Sequence, residues 1–276
     1  MSDPTTPPPL VPREGWHVMH LFYQVDHAQW ALFSDEEKRQ AKTHLTELVQ
    51  EIRATPETQL LSFAIATSKA DLGFMLLTPD LHVANAFEKQ LSLSLGPEIL
   101  SPVYSYLSQT ESSEYTPTRE QYTAETLIGE KALTAGTPEF DTALQEFDAR
   151  MVHYRKYRLY PALPDWPVLC FYPMSKRRSG LDNWYSLDFE TRRNLMAGHA
   201  RVGRTYAGRI LQVITGSTGL DEYEWGVTLL AKDTSDVKAI VYEMRFDEVS
   251  ARYADFGDFH IGMQLPLDQL FRRLCL

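Results

Sequence analysis

Residues 170–217 read CFYPMSKRRSGLDNWYSLDFETRRNLMAGHARVGRTYAGRILQVITGS. An apolar strand, Val168 to Phe171, delivers Tyr172, and the cations Lys176, Arg177 and Arg178 follow as a basic turn. From Phe189 to His199 the spacing predicts a helix, with Leu195 and Met196 four and three residues before His199 on one face. Arg209 to Thr215 reads as the next strand and carries Gln212. Strand, helix, strand is half of a β-α-β-β-α-β unit. The rest lies downstream: a strand from Glu224 to Ala231, a helix with the stripe Val237, Ile240, Val241 and Met244, and a closing strand from Phe259 to Gln264.

The same order stands upstream. Trp16 to Val25 (WHVMHLFYQV) reads as a strand buried on both faces. Ser34-Asp35-Glu36-Glu37 is a capping box, and the helix after it puts Ala41, Leu45, Leu48, Val49 and Ile52 on one side. Gln59 to Thr67 and Leu72 to Thr78 read as strands. Pro79-Asp80 opens a helix with Leu81, Ala84, Phe87 and Leu91 inward, and Val103 to Leu107 closes the unit. The halves share an order of elements and no clear sequence identity. The expected divisions are a mobile proline-rich tail (1–15), a first ferredoxin-like repeat (16–108), a polar connecting segment (109–165) and a second repeat (166–276). Within the connecting segment Phe140 to Tyr154 reads as helix, and Gln109 to Glu139 as either a lid or a linker.

The 276 residues carry a formal net charge of −10. That argues against a phosphate-backbone partner, which needs a basic face. It leaves room for a local cationic pocket. Two cysteines, Cys170 and Cys275, are too few for a disulfide scaffold. With no secretory core and no apolar span of about 18 residues, the expectation is a cytoplasmic chain without a membrane span.

Three groups in the opening stretch could carry chemistry. His199 on an inward helix face has the placement of an axial ligand to haem iron, or of a satisfied core histidine. Tyr172 and Gln212 read equally as packed strand residues. The remaining histidines form no ligand-spaced cluster, so no second metal is expected.

Beyond single residues, this half resembles the coproheme decarboxylase branch of the chlorite dismutase-like family. The resemblance is carried by Tyr172-Pro173-Met174-Ser175-Lys176-Arg177-Arg178, Asn183-Trp184-Tyr185, His199 with Gly203-Arg204-Thr205-Tyr206-Ala207-Gly208, Ile214 to Ser217, Glu224 to Leu229, and Ile240 to Tyr253. It is close over about the last 120 residues and loose before them. It implies an α+β fold in which two ferredoxin-like βαββαβ repeats form a dimeric α+β barrel within one chain.

It further implies an oxidoreductase. Hydrogen peroxide drives oxidative decarboxylation of two propionates of Fe-coproporphyrin III, which is both substrate and redox centre, and gives haem b. In that pattern His199 matches the proximal iron ligand and Tyr172 the catalytic, radical-forming tyrosine. Arg158, Lys176 and Ser250 match propionate-binding positions, with Arg204 a weaker candidate. Pro173, Met174 and Ser175 share the substrate-binding run. Gln212 stands where chlorite-splitting members carry arginine, which disfavours chlorite dismutation. The resemblance implies a homopentamer and a transient contact with the coproporphyrin ferrochelatase that supplies coproheme. Other readings are a haem peroxidase or chlorite dismutase-like enzyme and a non-catalytic haem-binding protein.

Overall fold

Strand β1 (His17–Val25) lies at the centre of the first repeat, and alternation along it sorts two cores. Val18 and Phe22 face one hydrophobic cluster, while Leu21, Tyr23 and Val25 face another. A computed structural model describes residues 7–276, so the first six residues of the proline-rich tail lie outside the described residues. Within the described part of the tail, Leu10 is bonded to the start of the helix Leu81–Leu93. The Leu10 N–H donates to Asp80 Oδ1, and its carbonyl accepts from the Leu81 N–H, both at 3.0 Å.

After β1 come α1 (His27–Leu32), α2 (Asp35–Ala54), β2 (Gln59–Ile65), β3 (Leu72–Thr78), α3 (Leu81–Leu93) and β4 (Leu100–Thr110). Ser34 caps α2 in the expected reciprocal box with Glu37. Leu45, Leu48, Val49 and Ile52 of α2 pack with Ala84, Phe87 and Leu91 of α3 against the outer face of the strands.

Residues 111–162 form a unit of their own, distinct from the unit made by residues up to 110 and from 163 onward. It holds α4 (Arg119–Gln121), a π-helix (Tyr122–Glu130) and α5 (Pro138–Leu159). The polar connector expected here is therefore mostly helical. The Tyr122 and Phe147 rings stack at 4.1 Å, and Leu127, Phe140 and Phe147 are buried.

The second repeat runs β5 (Val168–Lys176), α6 (Phe189–Arg204), β6 (Ile210–Gly216), β7 (Trp225–Ala231), α7 (Thr234–Met244), α8 (Glu248–Tyr253), β8 (Ala254–Phe256), β9 (His260–Gln264) and α9 (Leu267–Arg273). The sheet order is β7-β6-β4-β1-β3-β2-β9-β5-β8, and β5 also pairs with β7. Each repeat is thus an antiparallel sheet in ferredoxin order, β4-β1-β3-β2 and β9-β5-β7-β6. Pairing of β4 with β6 and of β2 with β9 joins the two into a closed barrel. Its interior is filled by Phe22, Phe63, Met75, Tyr106, Phe171, Val213 and Leu230. The outer face of the second repeat carries Cys170, Ile210, Val227 and Leu229 under α7.

One local expectation is corrected. Lys176 does not begin a turn; it continues the strand that carries Met174. Both lie on β5, which β8 extends by pairing with Met174, Ser175 and Lys176.

Candidate functional site

Strand alternation decides which of the β5 candidates share a surface. Tyr172, Met174 and Lys176 fall on the outer face of the second repeat, and Pro173 and Ser175 on the other. Both of the latter side chains are occupied. Pro173 packs so tightly on Gly257 that a Cβ there would lie 2.6 Å from its Cγ, and Ser175 Oγ accepts the Glu224 N–H at 3.2 Å. Gln212 is on the Tyr172 face. The register Tyr172↔Val227↔Ile214 puts it two strands away and one row along.

The Tyr172 ring stacks on Phe259 at 4.3 Å and lies 5.8 Å from Phe256. Its hydroxyl makes no hydrogen bond among the described residues. Burial pushes its pKa above the ordinary phenol value, the neighbouring Cys170 adds to that, and the Arg245 guanidinium opposes it. Arg245 itself sits over the Phe256 ring at 4.3 Å.

Lys176 is only 8% exposed, yet among the described residues its ammonium has no ion-pair partner. Its Nζ lies 4.5 Å from the centre of the Trp184 ring. Burial lowers its pKa to about 8, against the pull of Asp247 and Glu224. A buried cation with no carboxylate in ion-pair contact is costly unless an anion reaches it.

His199 lies on α6, which Asp188 caps by accepting the Thr191 N–H. The expectation of a buried helix face is corrected. No residue of α6 is fully buried, and the His199 side chain is 25% exposed, with Leu195 and Met196 half-buried beside it. This half-buried apolar face is the surface a flat ligand would cover. His199 Nδ1 stands 2.8 Å from Asp247 Oδ2. Asp247 is also the N-cap of α8 and accepts the Ser250 N–H at 3.4 Å. Burial raises the Asp247 pKa, but the hydrogen bond and charge of His199, the Ser250 amide and Lys176 together bring it below the usual value.

Asp247 therefore joins His199 to the amide of buried Ser250, and Lys176 feels its charge without an ion-pair contact. Gln212 meets α6 directly: its Nε2 donates to the Gly203 carbonyl at 3.3 Å, and a Cβ on Gly203 would lie 3.0 Å from that nitrogen. Arg204 is exposed at the end of α6. Arg158 belongs to the 111–162 unit, where its Nε donates to the Glu111 carbonyl at 2.9 Å.

The profile of the chlorite dismutase family matches residues 38–265, most of the chain. This chain belongs to the chlorite dismutase family. Among solved structures it is similar to a haem-binding protein from Thermus thermophilus, at 38% identity over 98% of both chains with a TM-score of 0.79. It also resembles the chlorite dismutase of Candidatus Nitrospira defluvii in complex with imidazole, at 18% identity over 96% of this chain and 97% of that one, TM-score 0.69. A single-residue variant of the same enzyme gives 17% identity with the same coverage and a TM-score of 0.71. At those identities the second pair speaks for the fold alone.

Three site residues escape sequence reasoning: Asp247, Arg245 and Glu224. Asp247 had a readable signal, since Asp-x-x-Ser ahead of a short apolar run is a helix start. Nothing local announces that its carboxylate meets an imidazole 48 residues away. No group of three or more metal-binding side chains occurs among the described residues. No described helix is long and apolar enough to cross a membrane.

Proposed function

We propose that this chlorite dismutase family member is a coproheme decarboxylase: with hydrogen peroxide it converts two propionates of Fe-coproporphyrin III to vinyl groups, giving haem b. The observation that carries the reading is the Lys176 ammonium, buried without an ion pair, on the same sheet face as the unbonded Tyr172 phenol. A carboxylate-bearing macrocycle supplies the missing anion and brings a propionate to the phenol. The donor set suits such a group. His199 offers one ring nitrogen, the half-exposed face of α6 offers apolar cover, and Lys176 and Ser250 offer polar contacts for the rim.

When bound, the iron supplies the oxidising power that peroxide delivers. His199 is the residue to hold it. Asp247 at Nδ1 fixes the tautomer that leaves the Nε2 lone pair free, and strengthens that nitrogen as a donor. Tyr172 is the hydrogen abstractor. Burial favours its neutral phenol, so at neutral pH it has a hydrogen atom to lose and, once oxidised, can take one from the β-carbon of a propionate beside it. Lys176 and Ser250 hold carboxylates, and Met174 lies between Tyr172 and Lys176 on the same face. Gln212 is neutral, which supports decarboxylation over chlorite chemistry. Arg158 is assigned to a further propionate on the family pattern alone, as are the homopentamer, the ferrochelatase contact and the cytoplasmic setting.

The test is peroxide titration of the ferric coproporphyrin complex followed by mass spectrometry. Loss of two carbon dioxide units is the expected result. An unchanged or merely bleached porphyrin removes the reading and leaves a haem-binding protein without turnover; haem binding is what the Thermus relative is named for.

A further inference from the structure

Glu224 is almost completely buried, yet it stands just ahead of β7, the partner of the site-bearing strand β5, and carries no role in the chemistry above. Most of its contacts converge on the end of β5. The Glu224 side chain accepts the Lys176 N–H at Oε2, 2.8 Å away. Its own N–H is shared between the Met174 carbonyl at 3.1 Å and Ser175 Oγ at 3.2 Å. Its carbonyl accepts the Ser217 N–H at 2.7 Å, which anchors it to the loop after β6. The second carboxylate oxygen lies 3.9 Å from Arg178 Nε. One residue thus grips Met174, Ser175 and Lys176 in succession.

A grip is needed there. Pro173 has no N–H, so β5 loses a donor just where it carries the site. The three-residue strand β8 is a short partner for the other edge. The side chain at Lys176 must also leave the strand in the direction that keeps its ammonium against Trp184 and away from bulk water. We propose that Glu224 is a positioning residue for the anionic rim of the substrate: its carboxylate, closed onto the Lys176 amide, fixes where the Lys176 cation stands. The role rests on the assignment of Lys176 to a propionate made above. The charged groups facing Lys176 are Glu224 and, from the cap of α8, Asp247.

The test uses Glu224→Ala, Glu224→Gln and, as reference, Lys176→Met. Glutamine keeps an acceptor oxygen for the Lys176 N–H, and alanine does not. Amide hydrogen exchange of the porphyrin-free protein is read first. The Lys176 amide should exchange at least tenfold faster in Glu224→Ala and within threefold of wild type in Glu224→Gln. Absorbance titration with ferric coproporphyrin and with ferric haem b follows. Glu224→Ala should lose tenfold or more in affinity for the tetracarboxylate and clearly less for the dicarboxylate, with Glu224→Gln close to wild type. Unchanged exchange at Lys176 in Glu224→Ala overturns the grip. Faster exchange with unchanged coproporphyrin affinity overturns its link to the substrate. If Glu224→Ala does not fold, a tenfold affinity loss in Glu224→Gln with protected Lys176 exchange also overturns it, since position would then be kept and binding lost. A Lys176→Met variant that binds coproporphyrin like wild type strikes the assignment of Lys176 instead, whatever the Glu224 variants do.

Discussion

The proposed function gives Tyr172 and Asp247 roles that single substitutions can separate. Tyr172→Phe removes one oxygen that makes no hydrogen bond among the described residues, so packing on Phe259 and Phe256 survives. The variant should bind ferric coproporphyrin with affinity near wild type and leave it tetracarboxylic after peroxide. Full conversion, read by mass spectrometry, would assign the abstraction to another side chain. Asp247→Asn tests the imidazole. An amide can present its NH2 to Nδ1, reversing the tautomer so that the free nitrogen carries the proton. Outer partners of metal-bound histidines are worth about 10–100-fold in affinity. The expected outcome is an iron complex weakened by that order, with an altered ferric absorption spectrum while apo-protein stability stays close to wild type. An unaltered spectrum would mean the 2.8 Å contact does not orient the ring.

Elements explain what was legible and what was not. Gly73 on β3 and Gly262 on β9 flank the buried Phe63 ring. A Cβ at Gly73 would sit 2.3 Å from Phe63 Cε2, and one at Gly262 2.7 Å from Cδ2. Phe63 is fully buried, between the two glycines. Gly73→Ala therefore overpacks the barrel, at a cost of about 1–3 kcal/mol. A thermal melt should show it several degrees lower, and an unchanged midpoint would mean the interior is looser than these contacts describe. The helices α2, α3, α6 and α7 were readable because each has a polar cap followed by an apolar stripe, as in Ser34 with Leu45, Leu48 and Ile52. The end of β5 was not readable. Pro173 and the cations from Lys176 to Arg178 look like a turn, and only the distant partners at Trp225 and Phe256 keep Met174 in a strand. The π-helix Tyr122–Glu130 was likewise hidden. Its period matches neither template, and it buries Leu127 alone. Of the candidate site, Tyr172, Lys176, His199, Gln212 and Ser250 were proposed through family likeness, while Asp247, Arg245 and Glu224 were not. The meeting of His199 with Asp247 was not legible, because that is a contact between elements.

Closure of the two repeats into one barrel has a consequence for the whole molecule, because it seals two histidines inside. His20 is fully buried, its Nε2 2.7 Å from Thr228 Oγ1 and its ring stacked on Phe171 at 3.9 Å. His260 lies against Phe22 and Tyr104, at 4.3 and 5.4 Å between ring centres. Burial lowers the His20 pKa to about 3, with repulsion from His260 adding to it, and burial lowers that of His260 as well. Both are bases whose folded pKa is depressed, so the fold prefers them neutral. Above the unfolded value near 6.5 neither state binds the proton, and the barrel is undisturbed. Below it the unfolded chain takes up protons that the folded chain refuses, so stability falls from about pH 6.5 toward about pH 3. For His20 alone the loss approaches roughly 3 kcal/mol by about pH 4.5. Urea unfolding of wild type and His20→Gln across pH 7 to 4.5 isolates this contribution, because the carboxylates common to both chains cancel in the comparison. Glutamine loses the ring stacked on Phe171, so the variant starts less stable at pH 7, and because it does not titrate the two curves converge as the pH falls. Parallel curves would mean that His20 is reached by water, and hence that the barrel is not closed around it.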